Sequence, residues 1–210
     1  MNRLSRLCDS PIADPVEKRR AAQDARDYLR FFGAWVRRPL QAGNVIPSSR
    51  FLARRMVRDI RAGDGRVVEL GGGTGVFTRA ILATGLPRDR LEVVEINPVL
   101  ARSLRATLGG VRIVEAPAQA FSSHAAGAPG EYQAVVSGLP LLAMDRDIQI
   151  AILADAFAML GPNGTMMQFT YSPRSPVKPG VLDELGLVIE RAGGTLRNFP
   201  PATLFRIKRK

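Results

Sequence analysis

The residues from 67 to 78 combine an acid, a cluster of glycines and an apolar segment, and this combination is suited to binding a ligand. Their sequence is VVELGGGTGVFT. Glycines at Gly71, Gly73 and Gly75 let the backbone turn sharply and let a ligand approach without meeting a Cβ atom. An apolar strand, a glycine-rich turn and a helix are how an α/β sheet presents a nucleotide-like ligand at its carboxyl edge. The segment therefore predicts a binding loop for such a ligand, with Glu69 beside it.

A second acidic residue, Glu95, indicates which kind of ligand the loop binds. The dinucleotide fingerprint ends in Gly or Ala, where this chain has Val76, and the pattern present is Glu-x-Gly-x-Gly-x-Gly from Glu69. Glu95 ends the apolar segment LEVVEI, 26 residues after Glu69. A carboxylate at that place can accept both ribose hydroxyls of a nucleoside. The alternatives are a glycine turn without a ligand and a solvated glutamate, and the spacing favours the nucleoside.

The elements that position these residues alternate along the chain. Helices are predicted at 50–62, 76–84, 98–108, 147–160 and 181–192. Strands are predicted at 67–70, 91–96, 111–115, 132–137, 165–171, 195–199 and 203–208. Strands that alternate with helices imply an α/β fold with a doubly wound, mostly parallel sheet. The short connection between the last two strands predicts an antiparallel edge.

Residues 14–38 predict a basic amphipathic helix ahead of the sheet. Asp14 is a suitable N-cap and Pro39 ends the helix, and apolar residues recur between them at spacings of three and four. Aromatic residues bordered by arginines are typical of a helix that lies in a membrane interface. A helix packed on the protein core, with solvated arginines, is the alternative. The predicted membrane-binding residues are Arg19, Arg20, Arg26, Arg30, Phe31, Phe32, Trp35, Arg37 and Arg38.

The charge of the chain is concentrated before the glycine loop. The net charge is +11, and residues 1–66 hold 15 of the 30 cations but only 7 of the 19 acids. Such a basic face attracts nucleic acid or an anionic membrane. A single cysteine, Cys8, suits a reducing compartment, and no apolar run approaches the roughly 20 residues that span a bilayer. We expect a cytoplasmic protein with basic, membrane-facing helices over 1–63 and the sheet domain over 64–210.

Five stretches of the chain carry a family signature. They are ELGGGTGVFT from Glu69, VEINP from Val94, SGLPLL from Ser137, QFTYSP from Gln168 and PPA from Pro200. Together they resemble the bacterial phospholipid N-methyltransferases, which belong to the class I S-adenosylmethionine-dependent methyltransferases. The resemblance implies a seven-stranded methyltransferase sheet and stepwise methylation of phosphatidylethanolamine to phosphatidylcholine. S-adenosylmethionine would be the methyl donor and S-adenosylhomocysteine the product.

The resemblance also implies which residues hold the donor. In related enzymes an Asp after the third strand accepts the adenine amino group, and Pro117 stands at that place. The backbone N–H of Ala118 and the side chain of Gln119 are the substitutes that we predict. The full set of predicted donor-binding residues is Glu69, Gly71, Gly73, Thr74, Gly75, Glu95, Ile96, Ala118, Gln119 and Ser137.

The sequence contains fewer signals for the residues that bind the methyl acceptor than for those that bind the donor. The donor is already activated, so in-line positioning of a neutral amine supplies much of the rate. Tyr171 is predicted to meet the substrate ammonium, and Tyr28 to complete an aromatic pocket, with a buried structural tyrosine as the alternative for each. No strong general base is visible, since the only histidine, His124, is interpreted as a surface residue. We expect no metal.

Two other functions fit parts of the chain. The SGLP stretch also resembles the NLPY motif of rRNA adenine dimethyltransferases, where Asn receives the target amine and an aromatic residue stacks on the flipped base. Gly138 and Leu141 occupy those places, which disfavours a nucleic-acid substrate. A non-catalytic lipid-binding protein with the same fold is the third possibility. The expected partners are phosphatidylethanolamine and an anionic lipid surface at the inner face of the cytoplasmic membrane, and the oligomeric state is left open.

Overall fold

The computed structural model describes residues 48–195 and 201–210. All of these residues belong to one compact unit. The predicted helix at 14–38, its membrane-binding residues and Tyr28 lie outside the described residues. They therefore remain predictions.

A single seven-stranded sheet forms the centre of this unit. Its strands are β1 Arg66–Leu70, β2 Leu91–Val94, β3 Arg112–Val114, β4 Tyr132–Ser137, β5 Leu160–Thr170, β6 Leu187–Thr195 and β7 Ala202–Arg209. They lie in the order β3-β2-β1-β4-β5-β7-β6. β1 to β5 are parallel neighbours, whereas β7 pairs antiparallel with both β5 and β6. The predicted doubly wound, mostly parallel sheet is confirmed, with its antiparallel strand one place in from the edge.

Five α-helices accompany the sheet in the described part of the chain. They are α1 Ser48–Met56, α2 Val76–Leu82, α3 Pro98–Thr107, α4 Arg146–Met159 and α5 Val181–Glu184. α1 packs on α2, and Leu52 and Met56 are buried in the same core as Ile81. α1, which lies within the region predicted as 1–63, is thus part of the same compact unit as the sheet. The boundary predicted between residues 63 and 64 falls inside one compact unit, because the apolar face of α1 is needed to cover the sheet.

The predicted helix at 181–192 is wrong beyond its first turn. α5 ends at Glu184, and Gly186 turns the chain with a φ of 63°. The residues that follow form β6, which pairs with β7 along its whole length. Pairing with a strand that comes later in the chain has overridden the helical pattern. The strand predicted at 195–199 lies almost wholly outside the described residues.

The strand order creates a crevice at the carboxyl edge of the sheet, where the parallel strands end. β1 pairs with β2 on one side and with β4 on the other. The connections after β1 and β4 therefore leave toward opposite faces and flank a gap. Ligands of open α/β sheets bind in such a gap.

Candidate active site

The glycine loop follows β1 at this crevice and is held against β2. The N–H groups of Gly71 and Gly72 donate to the carbonyl oxygen of Val94, at 2.8 and 3.2 Å. Gly73 has a φ of 53°, and a Cβ atom built there would meet nothing within 4 Å. The face of the loop at Gly73 is therefore open, as a ligand that lies against the backbone requires.

Two glycines let the loops after β1 and β4 approach each other closely. The N–H of Gly138 donates to the carbonyl of Leu70 at 2.8 Å. A Cβ atom at Gly138 would lie 2.9 Å from the carbonyl oxygen of Gly71, and one at Gly71 would lie 3.0 Å from the side chain of Leu139. A side chain at either position would push the two loops apart. This contact was not foreseen from the sequence, because it joins segments that are distant along the chain.

Glu95 lies at the end of β2 and supports the glycine loop. One carboxylate oxygen accepts from the N–H of Gly73, and the other accepts from the N–H of Asn97, both at 2.8 Å. The side chain of Asn97 in turn caps α3 through the N–H of Val99 at 2.9 Å. Each carboxylate oxygen has a second lone pair. Glu95 thus keeps lone pairs that could accept ligand hydroxyls, while its orientation is fixed by the protein.

Glu69 lies beneath the loop and is completely buried. One of its carboxyl oxygens accepts from the hydroxyl of Thr78 in α2. The other, Oε1, has no hydrogen-bond partner among the described residues. Burial raises the pKa of Glu69 to about 8, the nearby carboxylate of Glu95 adds to the increase, and the Thr78 hydroxyl opposes it. A buried acceptor without a partner is costly, so a cationic group of a ligand would be stabilised beside it.

The raised pKa of Glu69 predicts how stability depends on pH. The folded protein holds a proton on this carboxyl up to about pH 8, whereas the ordinary value is 4.5. The stabilisation is therefore complete below pH 4.5 and is lost as the pH rises through 8. In the absence of ligand, the melting temperature of the wild type should therefore fall relative to that of Glu69→Gln as the pH is raised from 6 to 9. Thermal melts across this range provide the measurement.

Thr78→Val supplies the matched variant for that experiment. It removes the hydroxyl that lowers the pKa of Glu69 in the folded protein, so its loss of stability should continue to higher pH than in the wild type. A difference between Glu69→Gln and the wild type that stays constant across the pH range would contradict the prediction.

The turn after β3 lies next to Glu95. The N–H of Glu95 donates to the carbonyl of Val114 at 2.9 Å, so the ends of β2 and β3 are adjacent. Pro117 precedes a short 3₁₀ turn that contains Ala118, which is half-buried, and Gln119, which is exposed. Glu95 and the two predicted adenine contacts are thus brought to the same part of the carboxyl edge.

The remaining predicted donor contacts have differing surroundings. Thr74 is exposed, and its carbonyl accepts from Arg79 at 2.6 Å, while Ile96 is half-buried directly after Glu95. Ser137 is buried at the end of β4, and its hydroxyl accepts from the N–H of Leu139 at 3.3 Å. Ser137 therefore shapes the turn of the SGLP stretch.

Gln168 joins the SGLP and QFTYSP stretches. It is fully buried at the carboxyl end of β5, and its amide nitrogen donates to the carbonyls of Leu139 and Phe169 at 2.8 and 2.7 Å. Its Oε1 has no partner in the described part of the chain. We did not predict this residue from the sequence, although a polar residue inside an apolar strand was a usable signal.

Three aromatic rings form a row from the glycine loop to the end of β5. Phe77 in α2 and Phe169 are in edge-to-face contact at 5.6 Å, and Phe169 and Tyr171 at 5.5 Å. Tyr171 is more than one-third exposed, so one end of the row reaches the surface. The structure thus places Tyr171 at the crevice side of the sheet, with two phenylalanines that the sequence analysis missed.

The other features that bear on function within the described ranges are the histidine, possible metal ligands and possible membrane-spanning helices. His124 is exposed, and its carbonyl accepts from Arg112 at the start of β3, on the side of the sheet away from the glycine loop. Residues 48–195 and 201–210 hold no group of three or more His, Cys, Asp or Glu that could bind a metal ion. Within the same ranges, no helix has both the length and the apolar character needed to cross a membrane.

Comparison with known proteins supports a methyltransferase. The ornithine lipid N-methyltransferase of Singulisphaera acidiphila is 32% identical over 185 residues, which cover 84% of this chain and 93% of that protein. Magnesium protoporphyrin IX methyltransferase of Synechocystis, solved with S-adenosylmethionine, has the same fold, with a TM-score of 0.61 and 15% identity. That comparison covers 90% of this chain and 96% of the solved one. No family model matches the chain.

A second solved structure has the same fold. It is the 1,6-didemethyltoxoflavin-N1-methyltransferase of Burkholderia thailandensis with bound S-adenosylhomocysteine, at a TM-score of 0.58 and 18% identity over 96% of this chain and 92% of that one. The 32% identical lipid N-methyltransferase, together with the sheet order, the glycine loop and these likenesses of fold, defines a class I S-adenosylmethionine-dependent methyltransferase. Within that class, the chain belongs to the family of the ornithine lipid N-methyltransferase.

The crevice fits S-adenosylmethionine as the cofactor. The open face of Gly73 leaves room against the backbone, and Glu95 has lone pairs available for the ribose hydroxyls. A positively charged donor bound near Glu69 would favour the ionised form of its carboxyl and so oppose the effect of burial on its pKa. S-adenosylmethionine supplies an electrophilic methyl group on a sulfonium, and the chain has to hold it facing the acceptor.

Proposed function

We propose that this enzyme methylates the amine of a membrane aminolipid. The observation that carries the proposal is the ornithine lipid N-methyltransferase, to which the chain is 32% identical over almost the whole of that protein. Ornithine lipid is therefore one candidate substrate. Phosphatidylethanolamine is the second, since SGLP and QFTYSP resemble the phospholipid N-methyltransferases. Both present a primary amine on a lipid head group, and this shared chemistry defines the substrate class.

The acceptor side of the crevice suits such an amine. An ammonium group is attracted to the face of an aromatic ring, and the row that ends in Tyr171 offers one at the surface. Gln168 fixes the SGLP turn beside this row, because its amide nitrogen donates to the carbonyl of Leu139 at 2.8 Å. Once the ammonium has lost its proton, the neutral nitrogen must direct its lone pair at the methyl group. Positioning by these groups is the contribution that we assign to the protein.

The same crevice is poorly suited to a nucleic-acid base. The adenine methyltransferases that the SGLP stretch resembles use an Asn where this chain has Gly138. A Cβ atom at Gly138 would lie 2.9 Å from the carbonyl oxygen of Gly71, so any side chain there requires the loops to move apart. This close approach supports a lipid amine over a base.

Methyl transfer from labelled S-adenosylmethionine is the direct test. Vesicles that contain ornithine lipid or phosphatidylethanolamine, each with and without anionic lipid, are compared with an RNA substrate. We expect label in at least one aminolipid and more of it when anionic lipid is present. Label in RNA and none in lipid would overturn the proposal. Donor binding without transfer to any substrate would favour a non-catalytic lipid-binding protein.

Substitution of Tyr171 tests the aromatic contact. Tyr171→Ala should raise KM for the aminolipid by about tenfold, because a cation–π contact of roughly 1–2 kcal/mol is lost. Tyr171→Phe retains the ring and should stay close to the wild type. Steady-state kinetics give the measurement, and unchanged affinity for S-adenosylmethionine is the control. Equal losses in both variants would assign the role to the hydroxyl, and wild-type kinetics of Tyr171→Ala would remove the residue from the substrate site.

We further propose that the basic N-terminal segment binds anionic lipid at the inner face of the cytoplasmic membrane. The concentration of arginines and aromatic residues in 19–38 supports this role. Arg26→Gln/Arg30→Gln should weaken partition onto anionic vesicles by roughly 30-fold, since each cation near the surface contributes about 1 kcal/mol. Sedimentation with phosphatidylglycerol vesicles measures the effect. Unchanged sedimentation would contradict the prediction, and a neutral phosphatidylcholine vesicle is the control.

A further inference from the structure

Four large hydrophobic side chains are exposed in the described ranges, and we find all of them at the carboxyl edge of the sheet. Val99, in the first turn of α3 after β2, is 61% exposed, and Leu142, in the connection after β4, is 48% exposed. Tyr171 directly follows β5 and is 38% exposed, and Phe51 in α1 is 39% exposed. Scattered exposed apolar residues need no explanation, but a set confined to one edge does.

The position of Phe51 follows from the register of the sheet. The guanidinium of Arg55, one turn after Phe51, donates to the carbonyl of Gly194. Gly194 pairs with Thr203, and Thr203 pairs with Thr170 at the carboxyl end of β5. The guanidinium of Arg55 therefore lies level with the carboxyl end of β5, although it is two strands away from β5 in the sheet. After Arg55 the chain runs toward the amino end of β1. Phe51 precedes Arg55 by one turn, so it lies level with the carboxyl edge of the sheet or beyond it.

Arginines accompany these apolar residues. Arg50 and Arg54 are exposed in α1, Arg102 is exposed one turn into α3, and Arg174 is exposed in the loop after Tyr171. None of the four forms an ion pair within residues 48–195 and 201–210. Exposed apolar side chains with cations beside them match an anionic bilayer, whose surface attracts the cations and whose interior accepts the apolar groups.

We propose that Phe51, Val99, Leu142 and Tyr171 form an interfacial rim that inserts into an anionic lipid bilayer. The crevice is surrounded by this rim and opens directly onto the lipid head groups. The amine of a lipid then reaches the donor methyl group while its acyl chains stay in the membrane. This inference rests on the proposed aminolipid function and adds the face by which the catalytic domain meets its substrate.

The aliphatic members of the rim favour lipid over nucleic acid. Single-stranded nucleic acids bind through stacking on aromatic rings and through cations. The side chains of Val99 and Leu142 offer no stacking surface, and they gain free energy only by leaving water for an apolar phase. An RNA partner is accordingly an outcome of the experiment and not the proposal.

Fluorescent labelling at single sites tests the orientation directly. The full chain with Cys8→Ser carries one new cysteine, Val99→Cys or Leu142→Cys, labelled with an environment-sensitive nitrobenzoxadiazole group. Ala128→Cys is the matched control, because it is exposed near the start of β1 at the opposite edge of the sheet. With vesicles of phosphatidylglycerol and phosphatidylcholine, the labels at 99 and 142 should brighten and shift to shorter wavelength, and the label at 128 should not.

Several results would overturn the rim. The rim would be rejected if the protein failed to bind the vesicles, or if it bound them without any change in the fluorescence of the labels at 99 and 142. It would also be rejected if the fluorescence changed equally at all three positions, or if a single-stranded RNA oligonucleotide produced the same changes. The labels respond without methyl transfer, so they are independent of the proposed reaction. Insertion of the rim in a protein that methylates no aminolipid would reject the proposed function alone.

A double variant extends the test to the unlabelled protein. Val99→Glu/Leu142→Glu should lower partition onto the same vesicles by about tenfold or more, because two apolar contacts with the bilayer are replaced by charges. Glutamate is favourable in the first turn of α3, so this change is compatible with folding. Ala128→Glu adds one negative charge at the opposite edge, against two in the double variant, and should change the free energy of partition by much less than half as much. Equal effects of the two substitutions would count against the rim.

Discussion

Gly73→Ala should lose affinity for S-adenosylmethionine by about a hundredfold or more while the protein stays folded. The added methyl meets no protein atom within 4 Å, so it projects into the open face on which the donor would lie. An extra methyl group in a filled space typically costs about 1–3 kcal/mol, and the upper part of that range corresponds to about a hundredfold in affinity. The φ of 53° at this position adds a strain of roughly 1–2 kcal/mol, which lowers the melting temperature only moderately. Calorimetric titration and thermal melts give the two measurements.

Two other glycines provide the comparison. Gly186 has a φ of 63° with nothing within 4 Å, and it lies far from the crevice, so Gly186→Ala should carry similar strain and retain donor affinity. A Cβ atom at Gly72 would lie 2.4 Å from Val93 and 2.9 Å from Leu104, so Gly72→Ala should disrupt the fold itself. Full donor affinity in Gly73→Ala would show that the donor does not lie against this face of the loop.

The parts of the fold that the sequence revealed are those with local signals. β4 is a mainly apolar segment in which Gln133 is the one interior polar residue, and its bounds at Tyr132–Ser137 agree with the prediction. The start of α3 at Pro98 agrees with the prediction, and Asn97 caps it locally. β6 was missed because its strand state depends on β7, which comes later in the chain. The turn at Gly186 was a local signal that the prediction overlooked.

The candidate site divides in the same way. Glu95 and the glycine loop could be found because their pattern lies within one strand-turn-helix segment and the next strand. The aromatic row could not be found from the sequence, because Phe77 and Phe169 come from elements that are 92 residues apart in the chain. The same holds for Gly138, whose lack of a side chain matters only because the carbonyl of Gly71 approaches it. The sequence thus indicated the donor side of the site, and the acceptor side required the packing of β4 and β5 beside it.

Glu92→Ala should destabilise the protein by about 3–5 kcal/mol, since it leaves the hydroxyl of Tyr132 and the N–H of Ala126 without their acceptor, at about 1–3 kcal/mol each. Glu92 is fully buried in β2 and accepts from the hydroxyl of Tyr132 and from the N–H of Ala126. It also pairs with Arg66 at 3.8 Å and with Arg112 at 3.3 Å. The melting temperature should fall by roughly 6–20 °C for a domain of this size.

The Glu92 network also holds a segment that belongs to the candidate donor site. The segment from 115 to 131 connects β3 to β4 and carries the predicted adenine contacts Ala118 and Gln119, and Glu92 anchors its far end through the N–H of Ala126. At a temperature where the variant is folded, Glu92→Ala should therefore also bind S-adenosylmethionine more weakly. Glu131→Ala is the matched control, because Glu131 pairs with the same Arg66 at 3.7 Å but is 56% exposed, and its loss should cost no more than about 1 kcal/mol. Equal destabilisation by the two substitutions would show that burial of the Glu92 carboxylate does not set its contribution, and unchanged donor affinity would separate this network from the adenine side of the site.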